Sequence, residues 1–162
     1  MKKFELTTEF ITSMFGKKLF RIKALIEFGN VKAGELGGFV EKEENLSHDG
    51  NAWVCENAWV CGNAVVCENA WVCGNAEVCG NAVVRGNADY ACIKGFGTEF
   101  RHTTFYKTKE DGIGVKCGCF NGSLEQFREQ VKETRNGKIA KEYLMIADLM
   151  EYHFASEGSD DE

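Results

Sequence analysis

Proline is absent from all 162 residues, and histidine occurs only three times, as His48, His102 and His153. A proline-free chain suits repetitive, hydrogen-bonded strands, because proline cannot donate to a β-ladder. The shortage of histidine leaves few positions for general-base or metal chemistry. No serine elbow, phosphate-binding glycine loop, HExxH or deaminase signature is present. No stretch approaches the length needed to span a bilayer. Met1, Lys2 and Lys3 are not followed by a sustained apolar core, because Glu5 and Glu9 interrupt it, so no secretory leader is expected. The formal charge of -6 and pI near 5.2 argue against broad attraction to nucleic acid or anionic lipid. Together these absences predict a cytoplasmic protein without membrane or direct nucleic-acid contact.

What the chain does have is one phrase repeated. From Asn51 it reads NAWVCE, NAWVCG, NAVVCE, NAWVCG, NAEVCG, NAVVRG and then NADY. The valines Val54, Val60, Val66, Val72, Val78 and Val84 recur every six residues, with alanines from Ala52 to Ala88 in the same register. A period of six is not the 3.6 of a helix, and it is shorter than the common helical repeats. Each hexad reads as a short Ala-x-Val strand followed by a corner. Ala and Val are two residues apart, so they share a face and point inward. Gly62, Gly74, Gly80 and Gly86 suit the corners. Three hexads make a triangular coil of 18 residues, with successive coils stacked about 4.8 Å apart through parallel hydrogen bonds. Leu46 to Val54 spans eight residues rather than six, which predicts a two-residue insertion at Ser47–Gly50.

The flanks divide the chain further. Residues 1–30 form an N-terminal strand and cap region, with Leu19–Ile26 alternating as a strand and a short helical turn over Phe10–Phe15. Residues 31–97 hold the coil, regular over 51–90. Residues 98–155 form a hairpin about Glu110-Asp111-Gly112 followed by two helices. Ser123 and Gln126 make a capping box for the first helix, and Asn136-Gly137 stops it. The second spans about Ile139–Phe154, with Ile139, Tyr143, Ile146, Leu149 and Met150 facing packing partners. Residues 156–162 form an acidic flexible tail. The flanking segments are expected to cover the coil's exposed β-edges.

An 18-residue period sorts the outward side chains into columns: Trp53 with Trp71 and Asp89, Trp59 with Glu77, Val65 with Val83, Cys55 with Cys73, Cys61 with Cys79, and Cys67 with Arg85. The tryptophans occupy the phase opposite to the Ala/Val core, so a covering is expected over them. Either they form a binding or oligomer interface built on Trp53, Trp59, Trp71, Glu77 and Arg85, or the flanking helices pack over them. The eight cysteines read as reduced thiols in a cytoplasmic chain. Their C-x5-C spacing turns onto different faces, and Cys117-Gly-Cys119 has no completing ligands, so no metal site and no cofactor are expected. Surface or structural roles are expected for the histidines; His48 and His102 are the alternative catalytic bases.

The segments V54-C-E-N-A-W59, V60-C-G-N-A-V65 and V72-C-G-N-A-E77 resemble the left-handed β-helix repeats of hexapeptide acyltransferases, with an aliphatic residue first and a small residue fifth. That resemblance implies a short left-handed parallel β-helix and a homo-oligomer, trimeric in those enzymes; with the helices read above, the expected fold is mainly β with C-terminal α-helices. The chain departs from them in having few coils and no histidine-bearing loop or coenzyme-binding extension. FRIKAL at Phe20–Leu25, GNVKAGELGGFVEKEENLS at Gly29–Ser47 and GIGVKCGCFNGSLEQF at Gly112–Phe127 resemble a phage- and prophage-associated family of small hexapeptide-repeat proteins. The expected function is therefore that of a non-enzymatic binding protein in a host cytoplasm, an inhibitor of a bacterial antiviral-defence component. Its partners would be a host protein or a small signalling molecule. The alternative is an acyltransferase-like enzyme using an acyl-CoA donor.

Overall fold

The computed structural model describes residues 2–13, 16–99, 101–118 and 120–155. The first strands, β1 (Phe4–Thr12) and β2 (Lys18–Ala24), pair antiparallel from Phe4↔Ala24 to Thr12↔Lys18. On β2 the expected alternation holds in part: Leu19, Ile22 and Ala24 are buried, while Lys18 and Lys23 are exposed. Because β1 runs to Thr12, the helical turn expected from Phe10 onward is replaced by strand; Met14 and Phe15 lie outside the described residues. A third strand, β3 (Leu36–Val40), adds antiparallel to β2.

The hexads form six two-residue strands: β4 (Trp53–Val54), β5 (Trp59–Val60), β6 (Val65–Val66), β7 (Trp71–Val72), β8 (Glu77–Val78) and β9 (Val83–Val84). They pair in parallel at the expected offset, with Trp53↔Trp71, Trp59↔Glu77 and Val65↔Val83 in register. Upstream of the inserted turn the partners shift by two further positions, to Phe39↔Trp59 and Leu46↔Val66. The hexad alanines Ala52–Ala82 and valines Val54–Val84 are fully or almost fully buried and fill the first core. The corners need left-handed backbone: Gly62, Gly74 and Gly80 take it at φ 65°, 71° and 65°.

The expectation of a left-handed parallel β-helix is corrected by the topology of the sheets. The strands assemble into separate, open sheets, none closed or curled on itself. One is five-stranded and mixed, in the order β1-β2-β3-β5-β8; β4-β7 and β6-β9 are isolated parallel pairs. Two features of the chain account for this. Each hexad supplies only two residues of strand, and the repeat register ends at the 3-10 turn Asn87–Asp89. Antiparallel strands then take over beside it. Mainly β with C-terminal helices remains as the coarser description.

The C-terminal half is a four-stranded antiparallel sheet, β10 (Tyr90–Phe96), β11 (Arg101–Lys107), β12 (Ile113–Cys117) and β13 (Phe120–Ser123), followed by α1 (Leu124–Thr134) and α2 (Gly137–His153). The hairpin expected about Glu110-Asp111-Gly112 joins β11 to β12, with Asp111 at φ 64°. Ser123 Oγ accepts from the Gln126 N–H, and Gln126 Oε1 accepts from the Ser123 N–H, closing the capping box. The helices do not cover the hexads. They pack on this sheet in a second core of Phe105, Val115, Phe127, Val131, Tyr143, Ala147 and Met150. It is β11 and the turn after it that meet the last hexads: Thr104 Oγ1 accepts from the Glu77 N–H, and the Lys109 N–H donates to the Asn81 carbonyl. No helix of the described residues is long and apolar enough to cross a membrane.

Candidate functional site

The columns place Trp53 beside Trp71 and Trp59 beside Glu77, but the three indoles have different surroundings. Trp53 is 0% exposed, edge-on to Phe28 at 5.3 Å, and belongs to the first core. It is therefore corrected from surface anchor to core residue: the N-terminal strands and the Phe28 turn, both distant in sequence, fold over it. Trp71 is half-buried, and its Nε1–H donates to the Asn51 carbonyl at 3.1 Å. Arg85 lies apart on the third ladder, 3.8 Å from Glu68, with both side chains largely exposed. The expected five-residue interface thus does not converge on one surface.

Trp59 and Glu77 do converge, together with residues the repeat did not indicate. Lys116, on β12, places its ammonium 3.2 Å from Glu77 Oε1, also donates to the Gly118 carbonyl, and lies 5.7 Å from the Trp59 ring. Beside them, Lys17, Gly62, Gly80, Asn121 and the thiols of Cys61 and Cys79 line a mainly apolar cleft of about 260 Å³. The two sulfurs are 2.8 Å apart. The contact with Cys79 holds the Cys61 thiol below the usual range, helped by Lys17 and Lys116 and opposed by burial and Glu41. The same contact, with burial, raises Cys79 well above it.

One ladder over, Cys55 and Cys73 are joined as a disulfide. This overturns the expectation of a fully reduced thiol ladder and with it the cytoplasmic assignment, since structural disulfides belong to oxidising compartments. Cys67 shares its column with Arg85 and is a free thiol; Cys119 lies outside the described residues, as does the tail 156–162.

The histidines do not share a site. His48 stacks on Phe4 at 4.4 Å, its Nδ1 accepts from the Lys3 N–H at 3.0 Å, and its Nε2 lies 2.6 Å from Glu43 Oε2. With Nδ1 accepting, the proton sits on Nε2 and is donated to Glu43, whose carboxyl is held below the ordinary range by that bond. Both nitrogens of His48 are thus occupied in fastening the N-terminus to the inserted turn. His102, on β11, is lowered by burial, and its Nε2 has no partner among the described residues.

The feature missed in the sequence lies on α2. Tyr143, Ala147 and Met150 face the second core, while Met145, Leu149 and Tyr152 are 60%, 58% and 82% exposed. Their spacing of four and three residues aligns them as one outward stripe. The signal was present as i, i+4, i+7, but two apolar stripes overlap on this helix, so Leu149 read as core.

No family model matches this chain, and no curated protein matches it. The open, mixed sheets also remove the structural basis for the resemblance to hexapeptide-repeat proteins, acyltransferases and phage-associated chains alike.

Proposed function

We propose that this chain is a binding protein whose protein partner docks on the outer stripe of α2. The observation that carries this reading is the exposure of Met145, Leu149 and Tyr152 in line on a helix whose opposite face is already packed. Single exposed apolar side chains are ordinary, but three contiguous ones on one helix face make a patch of the kind that recognition helices use. The fold does not need them, so burial by another molecule is what they can gain. Tyr152 is suited to anchoring because it combines a large apolar ring with a hydroxyl that tolerates the rim of an interface.

The test is affinity capture from cell lysate with the wild-type chain and with a Met145→Lys/Leu149→Lys variant, followed by native mass spectrometry. The expected result is a stoichiometric protein retained by the wild type and lost from a variant that melts like the wild type. A partner held equally by both would place binding elsewhere on the surface. A wild-type chain that recovers only copies of itself would turn the stripe into a self-association face.

A further inference from the structure

The cleft over Trp59 has a chemistry that a docking surface does not require. The register Val60↔Val78 sets Cys61 and Cys79 on neighbouring rungs, just as Val54↔Val72 sets Cys55 and Cys73. In the latter pair the Cα atoms are 4.7 Å apart and the sulfurs are bonded. The backbone around Cys61 and Cys79 has the same spacing of rungs, with Cys61 N–H donating to the Val78 carbonyl at 3.0 Å. A disulfide can therefore form there without the strands moving. The surroundings differ, however. Cys61 and Cys79 border an open cleft of about 260 Å³, with Lys17, Lys116 and Asn121 around the sulfurs and the Trp59 ring alongside.

We propose that Cys61 and Cys79 form a thiol–disulfide exchange site that takes an organic disulfide in the cleft over Trp59. In the reduced chain, the Cys61 thiolate attacks one sulfur of the substrate R–S–S–R. A Cys61–S–S–R bond forms, the substrate S–S bond breaks, and one RS⁻ leaves and takes up a proton. Cys79, 2.8 Å away, then loses its proton and attacks Cys61 Sγ, releasing the second RS⁻. The chain has lost two electrons to the substrate: Cys61–Cys79 is oxidised to a disulfide, and R–S–S–R is reduced to two R–SH. The sequence is reversible, so the oxidised pair can equally pass its disulfide to a substrate dithiol.

Several observations assign the roles. Cys61 is the less buried of the two, 9% exposed against 6%, so an entering disulfide meets its sulfur first. Cys79 is the more deeply buried and lies against its neighbour's sulfur, which suits a resolving group. The ammonium groups of Lys17 and Lys116 favour both the attacking thiolate and a leaving thiolate in the cleft. The third ladder makes an internal control: Cys67 faces Arg85 in its column, has no second thiol, and is raised by burial and Glu68. The site is separate from α2, so its test does not depend on the partner reading.

The experiment treats the full chain, with Cys61 and Cys79 as free thiols and the Cys55–Cys73 disulfide kept intact, with glutathione disulfide in one arm and a disulfide-linked peptide in the other, and maps the cysteines by mass spectrometry. We expect wild-type chain to gain a Cys61–Cys79 crosslink and release two thiols per crosslink, about tenfold faster than Cys67 acquires an adduct. Cys79→Ser should stop at a Cys61 mixed disulfide and release one thiol; Cys61→Ser should lose the fast phase. The faster arm identifies the substrate as small or peptidic, and either supports the site. Recovery of wild-type Cys61 and Cys79 as free thiols while Cys67 and Cys92 carry the adducts would overturn it. That readout uses the unsubstituted chain and is independent of whether the variants fold.

Discussion

Lys3 donates its ammonium to the Ala52 carbonyl at 2.7 Å, joining the first residues of the chain to the first hexad. The residue is 1% exposed, its Nζ also reaches the Gly50 carbonyl at 3.3 Å, and the Phe28 ring lies 4.6 Å away. Burial lowers its pKa from 10.5 to about 8, with Asp49 opposing the shift. The unfolded chain therefore binds more protons at this site than the folded one between those values. Stability should rise with pH across that window, and the penalty of the buried charge should be fully present below it. The linked change is up to about 3 kcal/mol. Urea denaturation of wild type and Lys3→Met from pH 7 to 10.5 measures it, because the other titrating groups are common to both. Parallel stability curves for the two chains would show that Lys3 keeps its ordinary proton affinity.

Two corners of the repeat carry glutamate where Gly62, Gly74 and Gly80 stand in others, and Glu56 and Glu68 take the same left-handed backbone, at φ 57° and 58°. A residue with a Cβ loses about 1–2 kcal/mol there, part of which glycine forfeits through its freer unfolded chain. Their side chains distinguish the two sites. Glu56 Oε1 accepts from the Gly74 N–H at 2.7 Å, while Glu68 has an exposed ion pair with Arg85 at 3.8 Å, worth little. Glu68→Gly should therefore stabilise the chain by about 0.5 kcal/mol, and Glu56→Gly should be neutral or destabilising, since it also deletes a charge-assisted hydrogen bond. Thermal denaturation of the two variants side by side gives the comparison; equal shifts would mean that the Glu56 bond contributes nothing.

Local rules made the hexads legible. Ala and Val recurring every six residues pointed to a short strand with one buried face, and the eight-residue step from Leu46 to Val54 located the insertion that the Leu46↔Val66 pairing contains. The Ser123/Gln126 box was equally local. What could not be read was which distant strands would take the sheet edges. The antiparallel hairpin β1-β2 and the sheet β10–β13 attach through pairings that no periodicity encodes, and they leave the parallel ladders open and separate. The site failed for the same reason. Columns predicted that Cys55 meets Cys73 and Cys61 meets Cys79, but not that one pair is bonded or that Lys116, about forty residues on, completes the other's cleft.

Trp53 shows how far a correct register can mislead about burial, and it supplies the strongest stability prediction. Its phase is outward from the Ala/Val core, yet Phe28 packs against its ring and Gly37 lies so close that a Cβ there would fall 2.7 Å from Trp53 Cζ2. Trp53→Ala should destabilise the fold by about 3–5 kcal/mol, the range for deleting a fully enclosed large aromatic. Trp53→Phe retains an aromatic ring against Phe28 and removes an indole N–H that has no partner among the described residues, so its loss should be smaller, about 1–2 kcal/mol. Trp71→Ala, at the half-buried neighbour, gives up one hydrogen bond to the Asn51 carbonyl and partial packing, and should fall below Trp53→Ala by about 2 kcal/mol. Urea denaturation of the three variants orders them. If Trp71→Ala proved the more damaging, the cover over Trp53 by the N-terminal strands would not form in solution, and the indole would return to the surface where its phase alone would put it.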